Sequence, residues 1–231
     1  MFKKNKKNQM NNNTRHLITK INPKSPISEQ YRILRTNIQF SGIDQTIKSV
    51  VVSSIEPEAG KSMTAANLAI VYAQQGKKTL LIDADMRKPT AHYTFRLDNL
   101  MGLSNALVDG HRVTDVVAKS DVDNLDVLSC GPIPPNPSEL LASKRFESFL
   151  KEAQGLYEMI IIDTPPLIAV TDARILVNLV DGSLLVARKD QSEYEQLEEA
   201  VEQIKQSADN LLGVVLNDVD KKEDDYYYYY S

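Results

Sequence analysis

Three consecutive residues, Gly60, Lys61 and Ser62, have the types and the order needed to hold a phosphate chain and a metal ion. They follow the apolar run KSVVVSSI and precede a helix-forming segment, so the pattern predicts a tight loop between a strand and a helix. In such a loop glycine lets backbone N–H groups approach an anion, lysine reaches the β- and γ-phosphates, and a serine hydroxyl ligates Mg²⁺. The complete pattern has a further glycine where this chain has Ile55, so the loop is a variant.

Carboxylates at the ends of two further apolar runs support this interpretation. KKTLLIDADMRKP leads into Asp83 and Asp85, and YEMIIIDTPP leads into Asp163. Continuous apolar runs are typical of strands buried on both faces of a parallel sheet, whose ligands bind beyond the carboxyl ends of the strands. An aspartate at a strand end can instead serve only to cap the next helix or to start a turn. Because three of them converge on one phosphate loop, the sequence predicts a site for a nucleoside triphosphate and magnesium.

The composition narrows the class of protein. The chain has 231 residues, 42% of them hydrophobic and 25% charged, as is ordinary for a globular protein with one large domain. A formal net charge of −4 gives no field that attracts nucleic acid. The single cysteine, Cys130, excludes an internal disulfide, and the histidines have no metal-ligand spacing. We expect a cytoplasmic protein, because no apolar run is long enough to span a membrane and no secretory signal is visible.

Both ends of the chain differ in composition from the middle. Residues 1–22 are basic and rich in asparagine, which predicts a mobile arm that is either solvated or in contact with an anionic membrane surface. Residues 23–219 contain all the motifs described above and are predicted to form one domain. Residues 220–231 are predicted to form a flexible tail.

Consecutive tyrosines dominate that tail. Three interpretations of them stand side by side: a low-complexity end without a chemical role, an aromatic segment that binds a partner, and a cluster of phosphate acceptors. The residues concerned are Tyr226, Tyr227, Tyr228, Tyr229 and Tyr230.

Apolar runs alternate with helix-forming segments along the domain. The predicted strands are residues 48–54, KKTLLIDAD, LDVLSC, YEMIIID, GSLLVAR and LLGVVLN. The predicted helices begin at Ser25-Pro26, at MTAANLAIVYAQQG, at GLSNALVDG, at Asn136 (running to about Gln154) and at Ser192, which Glu195 is expected to help cap. This alternation predicts an α/β fold of the P-loop NTPase type, with a mostly parallel central sheet flanked by helices on both faces.

The first of these helices has two distinct faces. One is apolar and is expected to pack on the body; it consists of Ile27, Tyr31, Leu34 and Ile38. Glu29, Arg32 and Arg35 lie on another face, and their spacing alone favours a solvated stripe of charge.

Taken together, GKS, LLIDADMRKP, IIIDTPP and the tyrosine cluster resemble the bacterial tyrosine kinases of capsule and exopolysaccharide loci. The chain is most similar to their separate cytoplasmic kinase subunit of Gram-positive bacteria, from about Ser25 to the C-terminus. The resemblance implies that Lys61 and Ser62 of the first motif bind phosphate and Mg²⁺. The family's second motif matches Asp83, Asp85 and Arg87, and its third motif matches Asp163. The predicted nucleotide-binding residues are Ala59, Gly60, Lys61, Ser62, Met63, Arg87 and Asn217, and the predicted metal ligands are Ser62, Asp85 and Asp163.

The resemblance also implies an activity and an assembly. The cofactors are ATP and Mg²⁺, and the tail tyrosines of one subunit are phosphorylated in the site of its neighbour within a ring. The family's E-x-x-R-x-x-R oligomerisation motif matches Glu29, Arg32 and Arg35, which replaces the interpretation of a solvated stripe. The implied partners are the cytoplasmic segment of a membrane-embedded activator, which recruits the kinase to the inner face of the membrane, a cognate tyrosine phosphatase and further protein substrates.

The mechanism assigns roles to the acidic residues. A tyrosine hydroxyl is a poor nucleophile at pH 7, so a carboxylate must accept its proton. Asp83 is the candidate base and Asp85 supports the metal or its waters, although the two roles can be exchanged. Lys61 is counted with them as catalytic, and Asn217 is a candidate for reading adenine.

Two glutamates depart from related patterns. Family members have Gly-Glu or Gly-Ala before the GK pair, whereas this chain has Glu58-Ala59. Two interpretations stand side by side: either a β-carbon at residue 58 strains a conformation that glycine accepts and its carboxylate repels a triphosphate, or Glu58 simply points to solvent. The rival class, the spatial-regulator ATPases that place division sites or partition chromosomes, carries a signature lysine where this chain has Glu56. A third alternative is a catalytically dead scaffold that binds ATP.

Overall fold

A central sheet organises the molecule, as seen in a computed structural model that describes residues 17–41, 46–208 and 210–219. Seven strands in these ranges lie in the order β3-β4-β2-β5-β1-β6-β7. Only the β3–β4 pair is antiparallel. The strands are β1 Ser49–Ser54, β2 Thr79–Asp83, β3 Ala118–Lys119, β4 Leu125–Leu128, β5 Met159–Asp163, β6 Gly182–Arg188 and β7 Leu211–Asn217.

Helices cover both faces of this sheet. Side chains of β1 alternate between two hydrophobic cores, with Val51 in one and Val50 and Val52 in the other. The first core contains residues of α5 to α10, and the second contains residues of α2, α3 and α4. The predicted α/β fold with a mostly parallel, doubly covered sheet is confirmed. The helices are α1 Ile18–Ile21, α2 Pro26–Ser41, α3 Lys61–Gln74, α4 Ala91–Phe95, α5 Leu103–Asp109, α6 Val113–Val116, α7 Pro137–Leu141, α8 Lys144–Leu156, α9 Asp172–Val177 and α10 Tyr194–Ser207.

The register of the central strands brings the motif residues to one edge of the sheet. Asp83 at the end of β2 lies beside Asp163 at the end of β5, and Asp163 also pairs with Val52 of β1. Because β1 leads directly into the loop that ends at Lys61, all three motifs meet at the carboxyl ends of neighbouring parallel strands.

Several predicted elements differ from the structure. The short antiparallel strand β3 was not predicted. The helix predicted from Asn136 to Gln154 is two helices, because Ser143 interrupts it and its hydroxyl accepts a hydrogen bond from the backbone N–H of Phe146 as the N-cap of α8.

The predicted cap of the last helix is wrong. α10 begins at Tyr194 with Glu193 at its N-cap, and no side chain caps it. The Ser192 hydroxyl instead donates to Glu56 and accepts from the backbone N–H of Arg188. Tyr194, the first residue of α10, is 69% exposed.

On α2, Ile38 is buried and Tyr31 and Leu34 are partly buried, as predicted, but Ile27 is 48% exposed. The packed body also extends further towards the N-terminus than residue 23. Leu17 and Thr19 are buried, and Thr19 is hydrogen bonded to Asn67 of α3. Residues 17–22 are therefore not part of a free arm. Residues 1–16 and 220–231, including the predicted phosphate acceptors Tyr226 to Tyr230, lie outside the described residues.

Candidate functional site

The loop between β1 and α3 is shaped by Gly60. Its φ of +94° lies in the left-handed region, and a β-carbon added there would lie 2.1 Å from Nδ2 of Asn217. That amide donates a hydrogen bond of 2.9 Å to the carbonyl of Ala59. Asn217 therefore braces the loop from the end of β7, and its contact with adenine stays a prediction.

Lys61, the first residue of α3, is surrounded by acidic groups. Its Nζ lies 2.9 Å from Oδ2 of Asp85, 3.3 Å from Oδ1 of Asp163 and 3.3 Å from Oγ of Ser62. Burial opposes the charge of Lys61, but the carboxylates of Asp163 and Asp85 together raise its pKa above the ordinary value. Burial also disfavours the charged form of Asp163 and raises its pKa, although the positive charge of Lys61 acts to lower it. The structure thus brings together four of the predicted site residues.

Asp83 lies deeper than its neighbours and caps a helix. Its Oδ2 accepts hydrogen bonds from the backbone N–H groups of Thr90 (2.7 Å) and Ala91 (2.8 Å), and its Oδ1 accepts one from Asp85 (3.2 Å). The residue is 0% exposed. Burial and then the charge of Asp163 raise the pKa of Asp83 to about 7, although the backbone donors and Lys61 lower it. Such a value suits a base, but both oxygens are occupied by the protein in this conformation.

Asp85 links the lysine to the loop that follows β2. One of its oxygens, Oδ2, pairs with Lys61, while Oδ1 accepts from the backbone N–H groups of Arg87 (3.3 Å) and Lys88 (3.0 Å). Since its carboxylate contacts the lysine directly, Asp85 lies closer to the reactive centre than Asp83 does.

The side chain of Arg87 makes an ion pair within the protein. Its guanidinium donates from Nε (3.0 Å) and Nη2 (3.2 Å) to the two oxygens of Asp172, and Nη2 also donates to Oγ of Ser138 (3.3 Å). The hydrogen bond to Asp172 raises the pKa of Arg87, against partial burial. In this structure the side chain is bonded to Asp172, and a contact of Arg87 with the nucleotide stays a prediction. Sequence reasoning missed Asp172 and Ser138; Thr171-Asp172 after the third motif looks only like a helix start.

The remaining loop residues show how the variant phosphate loop is built. Glu58 is exposed and has a φ of 65°, so the strain expected at this position is present. Ala59 is buried and Met63 is half-buried. The spatial-regulator ATPases carry their signature lysine at the position of Glu56. Here the half-buried carboxylate of Glu56 accepts a 2.5 Å hydrogen bond from the Ser192 hydroxyl.

The three residues predicted to act in oligomerisation make different contacts within the chain. Arg32 pairs with Glu29 at 2.8 Å on the surface of α2 and donates to the carbonyl of Pro23. Arg35 instead donates to the carbonyl of Val71 in α3 at 2.8 Å, within the same chain.

The donor set at the site fits magnesium. Ser62, Asp85 and Asp163 offer hard oxygen ligands around Lys61, and Mg²⁺ is usually held by one or two carboxylates together with phosphate oxygens and waters. No cluster of three or more His, Cys, Asp or Glu side chains with metal-binding geometry occurs within the described ranges. The residues therefore suit a metal bound jointly with a triphosphate rather than an all-protein cage.

Comparison with known proteins agrees with this geometry. The family described as "AAA domain" matches residues 47–214. The tyrosine-protein kinase YwqD of Bacillus subtilis (strain 168) is 49% identical over 92% of this chain and 90% of its own length.

Solved structures are similar over most of the chain. The chimerical protein CapA2B2 is 44% identical with a TM-score of 0.85, covering 89% of this chain and 90% of its own. The kinase domain of the Escherichia coli tyrosine kinase ETK is 33% identical with a TM-score of 0.86, covering 90% and 82%. The cell division ATPase MinD of Pyrococcus furiosus, at 21% identity and a TM-score of 0.66 over 76% of this chain and 74% of its own, shares the fold alone.

Proposed function

The chain belongs to the bacterial tyrosine-protein kinases that these relatives represent, and from this premise we propose that it transfers the γ-phosphoryl group of ATP to the tail tyrosines of a second copy of itself. The observation that carries the proposal is the contact of Lys61 with Asp85 and Asp163 beside the Ser62 hydroxyl, at the carboxyl edge of a P-loop sheet. The acceptors are Tyr226, Tyr227, Tyr228, Tyr229 and Tyr230.

Charge neutralisation is the first task of the site. Phosphoryl transfer needs positioning and electrostatic stabilisation more than covalent chemistry. The Lys61 ammonium binds the β- and γ-phosphates in place of its present carboxylate partners, and the backbone N–H groups near Gly60 bind phosphate oxygens. When bound, Mg²⁺ supplies neutralisation of the developing charge on those phosphates, and Ser62, Asp85 and Asp163 are the residues that would hold it.

Proton removal from the tyrosine is the second task. We assign it to Asp83, since a group with a pKa near 7 can accept a proton at neutral pH. Because its oxygens cap the segment at Thr90 and Ala91, acceptor entry must loosen that segment. Asp85 is the alternative base, with the metal role then passing to Asp83.

The assembly and its partners belong to the same proposal. The packed body, residues 17–219, is the kinase domain, and Glu29, Arg32 and Arg35 contribute to a ring of subunits. The kinase is activated by the cytoplasmic segment of a membrane-embedded partner, which holds it at the inner face of the membrane. Its phosphorylation is reversed by a tyrosine phosphatase and regulates capsular or exopolysaccharide synthesis and export. Within the described part of the chain no helix is long and apolar enough to cross a membrane.

The experiment is incubation of the purified full chain with Mg·ATP, with and without the activator's cytoplasmic peptide, followed by intact-mass and tandem mass spectrometry. We expect phosphate on residues 226–230 in the wild type and none in Lys61→Met, because that variant loses the phosphate-binding cation. Lys119→Met is the matched control, since Lys119 is 82% exposed and pairs with Asp126 away from the site. ATP hydrolysis with an unmodified tail would contradict the proposal and favour the spatial-regulator ATPase. ATP binding without turnover of either kind would indicate a scaffold.

A further inference from the structure

Asp172 is a buried charge that the function described so far does not use. Its side chain is 0% exposed at the first position of α9. Both oxygens are occupied: Oδ2 accepts from Nε of Arg87, and Oδ1 accepts from Nη2 of Arg87 and, at 2.5 Å, from the Ser138 hydroxyl. A buried carboxylate is stable only when it is paired and hydrogen bonded, and the two-pronged arginine contact satisfies both needs.

The partner of Asp172 is joined to the reactive centre through its backbone. The N–H groups of Arg87 and Lys88 both donate to Oδ1 of Asp85, whose Oδ2 contacts Lys61. One residue, Arg87, is therefore fixed by Asp172 through its side chain and fixes Asp85 through its main chain. A shift of the Arg87 backbone would move both donors that orient the Asp85 carboxylate.

The contact also connects segments that are far apart in sequence. Arg87 follows β2, Asp172 follows β5 and the third motif, and Ser138 lies on α7. These three elements meet at the edge of the sheet that carries the site. An unpaired Arg87 would be drawn towards the acidic groups nearby, where its charge would compete with Lys61 for Asp85.

We propose that Asp172 is a positioning residue for phosphoryl transfer: it holds Arg87, with the help of Ser138, so that the backbone after β2 keeps the Asp85 carboxylate oriented against Lys61. The inference rests on the proposed kinase function and adds to it a residue outside the matched motifs. It assigns Arg87 a role in orientation rather than in phosphate contact.

The test measures kcat and KM for ATP in tail phosphorylation, together with direct binding of a fluorescent ATP analogue, in the full chain. Asp172→Asn keeps the shape and removes the charge, and we expect kcat to fall about tenfold because small misplacements of catalytic groups lower the rate steeply. The dissociation constant of the ATP analogue should change by less than about threefold, since the lost contact orients and does not bind. Arg87→Lys, which cannot make the two-pronged contact, should act in the same direction.

A double-mutant cycle separates positioning from general destabilisation. If the two residues act as one unit, Asp172→Asn combined with Arg87→Lys lowers kcat no further than the more severe single variant. The matched control is Asp126→Asn, a buried aspartate that accepts from Tyr157 and Lys119 at the far end of β4; it should lower Tm and leave kcat unchanged. Ser138→Ala keeps both charges and serves if Asp172→Asn does not fold.

Clear outcomes would overturn the inference. An unchanged kcat at saturating ATP in folded Asp172→Asn, or in Ser138→Ala where that variant is needed, would overturn it. It would also be overturned if Asp172→Asn and Arg87→Lys lowered kcat independently, so that their effects multiplied in the double variant. A KM raised tenfold with kcat unchanged would instead make Arg87 a direct nucleotide ligand. Failure of the wild type to phosphorylate its tail would contradict the proposed function itself, so the two failures are distinguishable.

Discussion

At Asp83, burial and hydrogen bonding act on one carboxylate in opposite directions. Three backbone N–H groups stabilise its ionised form, yet complete burial and the nearby charge of Asp163 prevail and raise its pKa to about 7. The sequence left open whether the strand-end aspartates cap the next helix or build the site. For Asp83 the structure shows the capping role, since its carboxylate accepts from Thr90 and Ala91, and it places the same residue beside Asp163; its role as a base stays a proposal.

Stability should therefore depend on pH through Asp83. Between about pH 4, the ordinary range of an aspartate, and pH 7, the folded chain retains a proton that the unfolded chain releases, so unfolding free energy falls as pH rises and is flat above that window. The expected loss is on the order of a few kcal/mol. Urea titrations of wild type and Asp83→Asn across this range measure it. The difference between the two should shrink or reverse as pH rises; a difference that is constant with pH would refute the raised pKa.

Glu58 offers a second test with a built-in control. Its φ of 65° is a conformation that glycine adopts without strain, so Glu58→Gly should raise the free energy of unfolding by about 1 kcal/mol. Glu58→Ala keeps the β-carbon and removes only the charge. If strain is what matters, glycine stabilises and alanine does not, as thermal melts would show. If the carboxylate weakens ATP binding, both variants should bind the fluorescent analogue more tightly. Equal stability of all three proteins would exclude the strain.

At the scale of the elements, the packing of α1 against α3 could not be predicted from the composition of the N-terminal segment. The N–H and hydroxyl of Thr19 donate to Oδ1 of Asn67 at 3.0 and 2.7 Å, and Gln74 donates to the carbonyl of Thr19. Both partners lie on α3, the helix that begins with Lys61. The short α1 therefore supports the helix that presents the phosphate loop, although its sequence looks like the end of a basic arm.

Removing one of these hydrogen bonds gives an element-scale prediction. Thr19→Val keeps the side-chain shape and deletes the hydroxyl, so the free energy of unfolding should fall by about 1 to 2 kcal/mol, as expected for a buried hydrogen bond. Denaturant titration measures this change. Thr114→Val, at an exposed position on α6, is the control and should change stability little. Equal effects of the two substitutions would mean that α1 is not held by Asn67.

The central strands could be predicted because their apolar runs report burial on both faces directly. The break between α7 and α8 could not be read as easily, since the helical pattern continues and only the capping hydroxyl of Ser143 reveals it. Strand β3 has two residues, too few for any period to show. Short elements that depend on tertiary contacts escape local patterns.

At the site, the residues in contiguous motifs could be found from sequence because each follows a strand end. Asp172 could not, because its partner Arg87 lies 85 residues away and nothing local distinguishes it from a helix start. Asn217 is predicted to lie near adenine. Its hydrogen bond to the carbonyl of Ala59 depends on the strand order, in which β7 is separated by β6 from β1, the strand that leads into the phosphate loop. Pairings between distant segments are set by topology rather than by spacing.

At the scale of the whole molecule, the two arginines of α2 allow the proposed assembly to be tested separately from folding. Arg32 uses its guanidinium on the surface, whereas Arg35 ties α2 to α3 within the chain. Arg32→Ala should therefore weaken ring formation in sedimentation experiments while changing Tm little. Arg35→Ala should weaken ring formation and also lower Tm, since the carbonyl of Val71 loses the hydrogen bond that Arg35 donates. Unchanged sedimentation of Arg32→Ala at all protein concentrations would contradict its place in the subunit interface.

The central claim, that one copy phosphorylates the tyrosine tail of another, is tested most directly by mixing two variants, neither of which can modify its own tail. One chain carries Lys61→Met and an intact tail; the other has a wild-type site and phenylalanine at all five positions from 226 to 230. Tandem mass spectrometry after incubation with Mg·ATP distinguishes the two tails by sequence. We predict phosphate on the Lys61→Met chain in the mixture and on neither chain alone. An unmodified Lys61→Met tail in the mixture, under conditions in which wild-type protein phosphorylates its tail, would contradict the account.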